Sequence, residues 1–236
     1  MLEELSLLLE ELPPHSPSCT YRSAIIEKNV LGKSTRSTRL KTAKYLVELF
    51  ALDPKSSVFR LLLFFWSHEQ SGKATLAFLA ACARDTLLRE HTPLVLQSSH
   101  GEPVNSTQIA EHIRERYPER FRPTTLKSTA QNLASSWTQA GFLSGKVAKR
   151  RSRPIVTPVV ASYALVLGYL LGLRGKILLD SIWTQFLDRP TVEVTHLVLE
   201  ASKQGWLRYK AVGSVVEITF PGLLTPAEER LSHGTN

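Results

Sequence analysis

Apolar residues recur at helical spacing along the first part of the chain, and the pattern changes near residue 98. Residues 2–12 read as a short acidic, leucine-rich helix, cut off by Pro13-Pro14 and a Ser/Pro linker; residues 1–20 are thus a leader and linker. Such a helix either packs on the chain's own core or serves as a docking segment. From residue 21 to 98 three stripes follow one another. Leu40, Ala43, Leu46, Val47 and Phe50 share the first; Val58, Leu61, Leu62 and Phe65 the second; Leu76, Leu79, Ala80, Ala83 and Leu87 the third. Asp53-Pro54 and Ser71-Gly72 punctuate them, which predicts an N-terminal helical bundle. Beyond a polar loop at residues 97–103, short helices alternate with short β-rich segments up to Phe220, and residues 225–236 read as a frayed tail.

Residues 99–160 carry a helix, turn, helix, strand, basic loop, strand order, which predicts a winged helix-turn-helix. Asn105 begins the first helix, with Gln108 placed to reach back to it. Pro118 and Pro123 bracket a break, and Thr124 or Thr125 can cap the second helix. Leu126, Ala130, Leu133 and Trp137 form its inner stripe. Its other face holds Thr125, Ser128, Gln131, Asn132, Ser135 and Gln139, uncharged side chains short enough for a major groove. Gly141 suits the left-handed position that ends a helix. Lys146, Lys149, Arg150, Arg151 and Arg153 then form a basic tip expected to meet phosphates, and Arg114, Arg116, Arg120, Arg122 and Lys127 flank the turn. Taken alone, a charge run is equally a solvated loop, and winged helices also bind proteins; the combination within one unit favours nucleic acid.

Residues 161–224 read as a helix followed by a second winged-helix-like unit. Val194, Leu197, Val198 and Ala201 face inward on a helix over 191–203, and a hairpin turns at Gly213-Ser214. Glu193 and Glu200 make that helix a poor phosphate face, so a structural or partner-binding role is expected, although Arg208 and Lys210 could touch DNA.

Charge supports an anionic partner: the net charge is +8 over 236 residues, with a pI of 9.6. The two cysteines, Cys19 and Cys82, lie far apart and form neither a disulfide framework nor a zinc motif, as suits a reducing cytoplasm. The opening Met1-Leu-Glu-Glu is acidic where a signal peptide would be basic. The apolar run 159–173 is shorter than the roughly 20 residues a membrane span needs, so a buried helix and no membrane partner are expected.

Candidate chemistry adds little. Gly32-Lys33-Ser34-Thr35 mimics the end of a phosphate-binding loop, but Glu27 stands where the pattern needs glycine. The same tract is better read as a basic helix start, with Lys33, Arg36 and Arg39 as possible secondary phosphate contacts or an ordinary exposed first turn. The histidines form no metal-ligand pattern. No nucleophile elbow appears, and Asp85, Asp180 and Asp188 stand apart. No enzymatic activity, cofactor or small-molecule substrate is expected.

The tract from Asn29 through Gly32-Lys33-Ser34-Thr35-Arg36, leading into a basic amphipathic helix, resembles the N-terminal signature of BrxA-type accessory proteins of BREX phage-defence islands. The tract running from Leu126 through Ala130 and Trp137 to Gly141 is more loosely similar to their helix-then-strand segment. The resemblance implies a helical, winged-helix, DNA-binding protein working beside larger bacterial defence enzymes. The acidic leader and long basic wing depart from that pattern. The expected partner is therefore double-stranded DNA, together with other defence-system proteins; an adaptor within a defence complex, or a binder of structured RNA, are the alternatives.

Overall fold

A computed structural model describes residues 1–14 and 16–233, with side chains to residue 230. His15 of the linker and residues 234–236 of the tail lie outside the described residues. The protein is mainly α-helical, with two small antiparallel β-hairpins.

Six helices come first: α1 (Leu2–Glu11), α2 (Ser18–Ile26), α3 (Arg36–Phe50), α4 (Ser57–Ser67), α5 (Lys73–Arg84) and α6 (Thr86–Gln97). The leader helix belongs to the core, for Leu5 and Leu8 of α1 are fully buried. In α3, Ala43, Leu46 and Phe50 point inward while Leu40 and Val47 stay exposed, so the buried stripe is narrower than periodicity suggests. The third stripe is two helices. Asp85 accepts from the Leu88 N–H and caps α6, which interrupts the run between Ala83 and Leu87.

At the centre lies α9 (Pro158–Leu170), buried along its length from Val159 to Tyr169. A helix apolar all round must be enclosed on every side, and α4, α5 and the later helices enclose it. Its polar atoms are satisfied locally: Ser162 Oγ donates to the Pro158 carbonyl and Tyr163 OH to that of Val58. Gly168 allows close approach, since a Cβ there would lie 2.6 Å from Leu178 Cδ1.

Between the six helices and α9 are α7 (Ser106–Arg116), α8 (Pro123–Gln139), β1 (Leu143–Ser144) and β2 (Arg150–Arg151). After α9 come α10 (Gly175–Leu179), α11 (Ile182–Gln185), α12 (Thr191–Lys203), β3 (Arg208–Val212) and β4 (Val215–Thr219). The hairpin turns at Gly213-Ser214, pairing Val212 with Val215. The expected frayed tail is instead α13 (Pro226–His233) over much of its length. Burial and charge hold it: Leu223 and Leu224 are buried just before it, and Glu228 pairs with Arg60 at 2.6 Å.

Among the described residues, no helix is long and apolar enough to cross a membrane.

Candidate nucleic-acid interface

The unit expected to bind nucleic acid is built from α7, α8 and the first hairpin. Asn105 accepts from the Gln108 N–H at 2.9 Å while Gln108 Oε1 accepts from the Asn105 N–H at 3.2 Å, so both halves of the capping box form. The turn that follows runs through Glu119, whose φ is +65°. α8 starts one residue earlier than Thr124, with Pro123 in its first turn. Proline's fixed φ and missing N–H suit that position, so Thr124 and Thr125 lie inside the helix rather than capping it. Leu126, Ala130, Leu133, Ala134 and Trp137 are buried, and Trp137 Nε1 donates to Thr92 Oγ1 on α6 at 3.1 Å.

Beyond Gly141 the chain turns into β1, and β2 returns beside it. A third short stretch, absent from the pattern-based reading, completes this small sheet. The Gly101 N–H donates to the Arg151 carbonyl, the Arg151 N–H to that of Glu102 and the Val104 N–H to that of Lys149, all within 2.9 Å. Pro103 bridges Arg150. A single β-bridge carries almost no periodicity signal, which is why this stretch escapes sequence reading.

The outer face of α8 keeps Thr125, Lys127, Ser128, Gln131, Asn132, Ser135 and Gln139 exposed. They differ in what they already bind. Ser128 donates to the Thr125 carbonyl. Gln139 donates to Ser135 and accepts from the Met1 amine and the Leu2 N–H at 3.1 Å, so the leader helix occupies this end of α8. Among the described residues, the Gln131 and Asn132 side chains have no partner within the chain.

The basic residues also divide. Arg114, Arg122, Lys127, Lys146 and Arg153 are exposed and, among the described residues, make no ion pair or hydrogen bond through their side chains. Arg116 pairs with Glu90 at 3.4 Å, and the Arg120 guanidinium lies over the Tyr117 and Phe121 rings at 4.6 and 5.3 Å. In the hairpin, Lys149 donates to Thr138 Oγ1 at 2.8 Å and Arg150 to the Gly101 carbonyl at 2.9 Å. Arg151 departs furthest from expectation. It is 4% exposed, pairs with Asp188 at 2.8 Å and donates to the Phe142 carbonyl. Adjacent strand residues point to opposite faces, so Arg150 faces out and Arg151 faces in, where no phosphate reaches it.

The secondary cluster at and just before the start of α3 is held within the chain. Lys33 pairs with Glu4 at 2.9 Å, Arg36 with Glu27 at 3.4 Å, and Arg39 donates to the Ile26 carbonyl at 2.9 Å. Burial works against the charge on Glu4, yet the hydrogen bond from Lys33 and the terminal amine bring its pKa down to about 2. Among the described residues, no group of three or more His, Cys, Asp or Glu side chains is placed to hold a metal ion.

No family model, curated protein or solved structure matches this chain.

Proposed function

We propose that this chain is a non-enzymatic, double-stranded DNA-binding protein and that residues 99–160 are its winged helix-turn-helix. In this reading α8 enters the major groove, α7 packs across it, and the loop between β1 and β2 lies on the phosphate backbone. The observation that carries it is the outer surface of the unit. The face of α8 is exposed and, past Lys127, uncharged, while Arg114, Arg122, Lys127, Lys146 and Arg153 make no ion pair among the described residues. Free cations grip phosphates on any sequence, and Gln131 and Asn132 retain their full hydrogen-bonding capacity for base edges.

A mobility-shift titration with random duplexes at low salt tests this. Binding is expected to weaken steeply with salt, at a log–log slope of about −4 to −5 if each of the five free cations meets one phosphate. Neutralising Lys146 and Arg153 together weakens binding alike on all sequences and flattens that slope. Absence of a shift with any duplex at low salt would overturn the reading, and preference for a matched RNA duplex would redirect it.

An adaptor function is the second reading, favoured by the exposed apolar residues Val192 and Leu199 on α12. Partners that survive nuclease treatment in an affinity purification would support it. Work beside phage-defence enzymes rests on the sequence resemblance alone, and co-purification with such enzymes from a cell that encodes them tests it.

A further inference from the structure

The ends of α8 and α12 are built alike. Gly141 and Gly205 have φ of +86° and +80°. Their N–H groups donate to the Thr138 and Ser202 carbonyls, both at 3.1 Å, and the next N–H in each, of Phe142 and Trp206, donates to Trp137 and Ala201. A hairpin follows both. Counting back from the two glycines, buried Ala130, Ala134 and Trp137 correspond to buried Val194, Val198 and Ala201. The outward positions then correspond too. Ser128, Gln131, Asn132, Ser135 and Gln139 of α8 stand where α12 has Val192, Thr195, His196, Leu199 and Lys203. The second unit keeps the scaffold of the first but exchanges its polar face for one in which Val192 is 81% and Leu199 43% exposed.

We propose that this face of α12 is a self-association surface that takes the α12 of a second copy of the chain, antiparallel across a two-fold axis. Val192, His196, Leu199 and Lys203 lie in one line along the helix, at the alternating spacing of a helix–helix seam. A two-fold axis between Leu197 and Val198 maps that line onto itself. Val192 then faces the aliphatic stem of Lys203 of the second copy, and His196 faces its Leu199. In the same register Glu193 falls one position from Lys203 of the second copy, and Glu200 one position from its His196, so each acidic group meets a basic one. A parallel pairing would set Glu193 against Glu193 and Lys203 against Lys203. Charge complementarity therefore selects a second copy, in this orientation, with the self-complementary patch that two-fold symmetry requires. Within one chain Glu193 reaches Arg189 at 3.6 Å and Lys203 reaches Glu200 at 2.7 Å, near enough to extend into a network across the axis.

One helix face is smaller than a standard interface, so the dissociation constant is expected on the order of tens of micromolar. Sedimentation velocity of the full chain without nucleic acid, up to about ten times that concentration, tests the surface independently of any DNA binding. The weight-average mass should climb toward twice that of the chain. Leu199→Asp should hold it monomeric, and Glu193→Lys or Lys203→Glu alone should weaken association roughly tenfold. The double variant Glu193→Lys with Lys203→Glu should regain most of the affinity. Circular dichroism melts check that each variant keeps its fold. A monomer at every concentration, a Leu199→Asp protein that associates like the parent, or a folded double variant no stronger than the singles would overturn the proposal.

Discussion

Arg151 shows how one residue changes meaning between sequence and structure. In the basic run it is one of several phosphate contacts, whereas in the fold it is the inward half of a two-residue strand, paired with Asp188 beyond α11. Removing one partner of a buried pair strands the other charge, so Asp188→Ala is expected to cost about 3 kcal/mol. Lys146→Ala, at an exposed position with no partner among the described residues, should stay within about 0.5 kcal/mol. Urea titration of the two variants separates them, and equal midpoints would refute a structural role for the Arg151–Asp188 pair. Gln131 and Asn132 make the complementary case. Because no partner among the described residues occupies them, replacing either by alanine should alter preference among duplexes by about 1–3 kcal/mol per lost bidentate base contact. Ser128→Ala should change preference less, since its hydroxyl already bonds to Thr125. Selection of bound sequences from a random pool reads the difference. The exposure of the α8 face was legible from helical period alone, but which of its groups are free was not, because the leader helix that engages Gln139 lies far away in sequence.

Elements whose limits are set by local chemistry were the most legible: the Asn105 capping box, the glycine after α8, and the hairpin at Gly213-Ser214. The start of α6 at Asp85 also had a local signal, an N-cap carboxylate, hidden inside an unbroken apolar stripe. α13 had one too, since Thr225 and Glu228 form a reciprocal capping box around Pro226, but Arg60 and the buried leucines that also hold it are tertiary. Gly141 and Gly205 share a conformation but not surroundings. A Cβ at Gly141 would meet Pro154 Cα at 3.3 Å, while none lies within 4 Å at Gly205. Alanine should therefore cost about 2 kcal/mol at Gly141 against about 1 at Gly205, and thermal melts of the two variants should rank in that order. The α6–α7 seam adds a pH dependence. His91 is fully buried, with neither ring nitrogen partnered among the described residues, its ring 5.1 Å from that of His112. Burial first, then the charges of His112 and Arg116, lower its pKa from 6.5 to about 4, with Glu90 opposing. A depressed histidine stays neutral when folded, while the unfolded chain takes up the proton. Stability is thus full above pH 6.5 and falls between 6.5 and 4, by roughly 3 kcal/mol at most. Carboxylates protonate mainly below about pH 4.5, so the upper part of that window reports the imidazole. His91→Leu should flatten it, and an unchanged slope would remove His91 as the cause.

At the scale of the whole molecule, the sequence divides more readily than the fold does. Composition shifts near residue 98 and again near 160 suggest a bundle followed by two modules, because periodicity reports which side of a helix is buried but not against what. In the structure α9 packs on α4 and α5 of the first part and on α12 of the last, and a single apolar core runs from Leu5 to Leu224. Links between the parts are polar as well. Thr75 donates to the Ile155 carbonyl, Arg189 to that of Pro154, and the Thr157 hydroxyl to the buried Glu69 carboxylate, which also accepts from the Gln70, Ser71 and Gly72 N–H groups. A core shared in this way gives no part a separate set of contacts to melt, so unfolding should be one cooperative transition despite the modular pattern. The tryptophans report on each part: Trp66 on α4, Trp137 on α8, Trp183 on α11 and Trp206 before β3. Fluorescence from variants retaining one tryptophan each should give the same urea midpoint as far-ultraviolet circular dichroism, with a slope near the upper end of about 1–3 kcal/mol per molar. If Trp206 alone melted at a lower midpoint, the second hairpin unit would be an independently folding body and α9 would belong to the first part only.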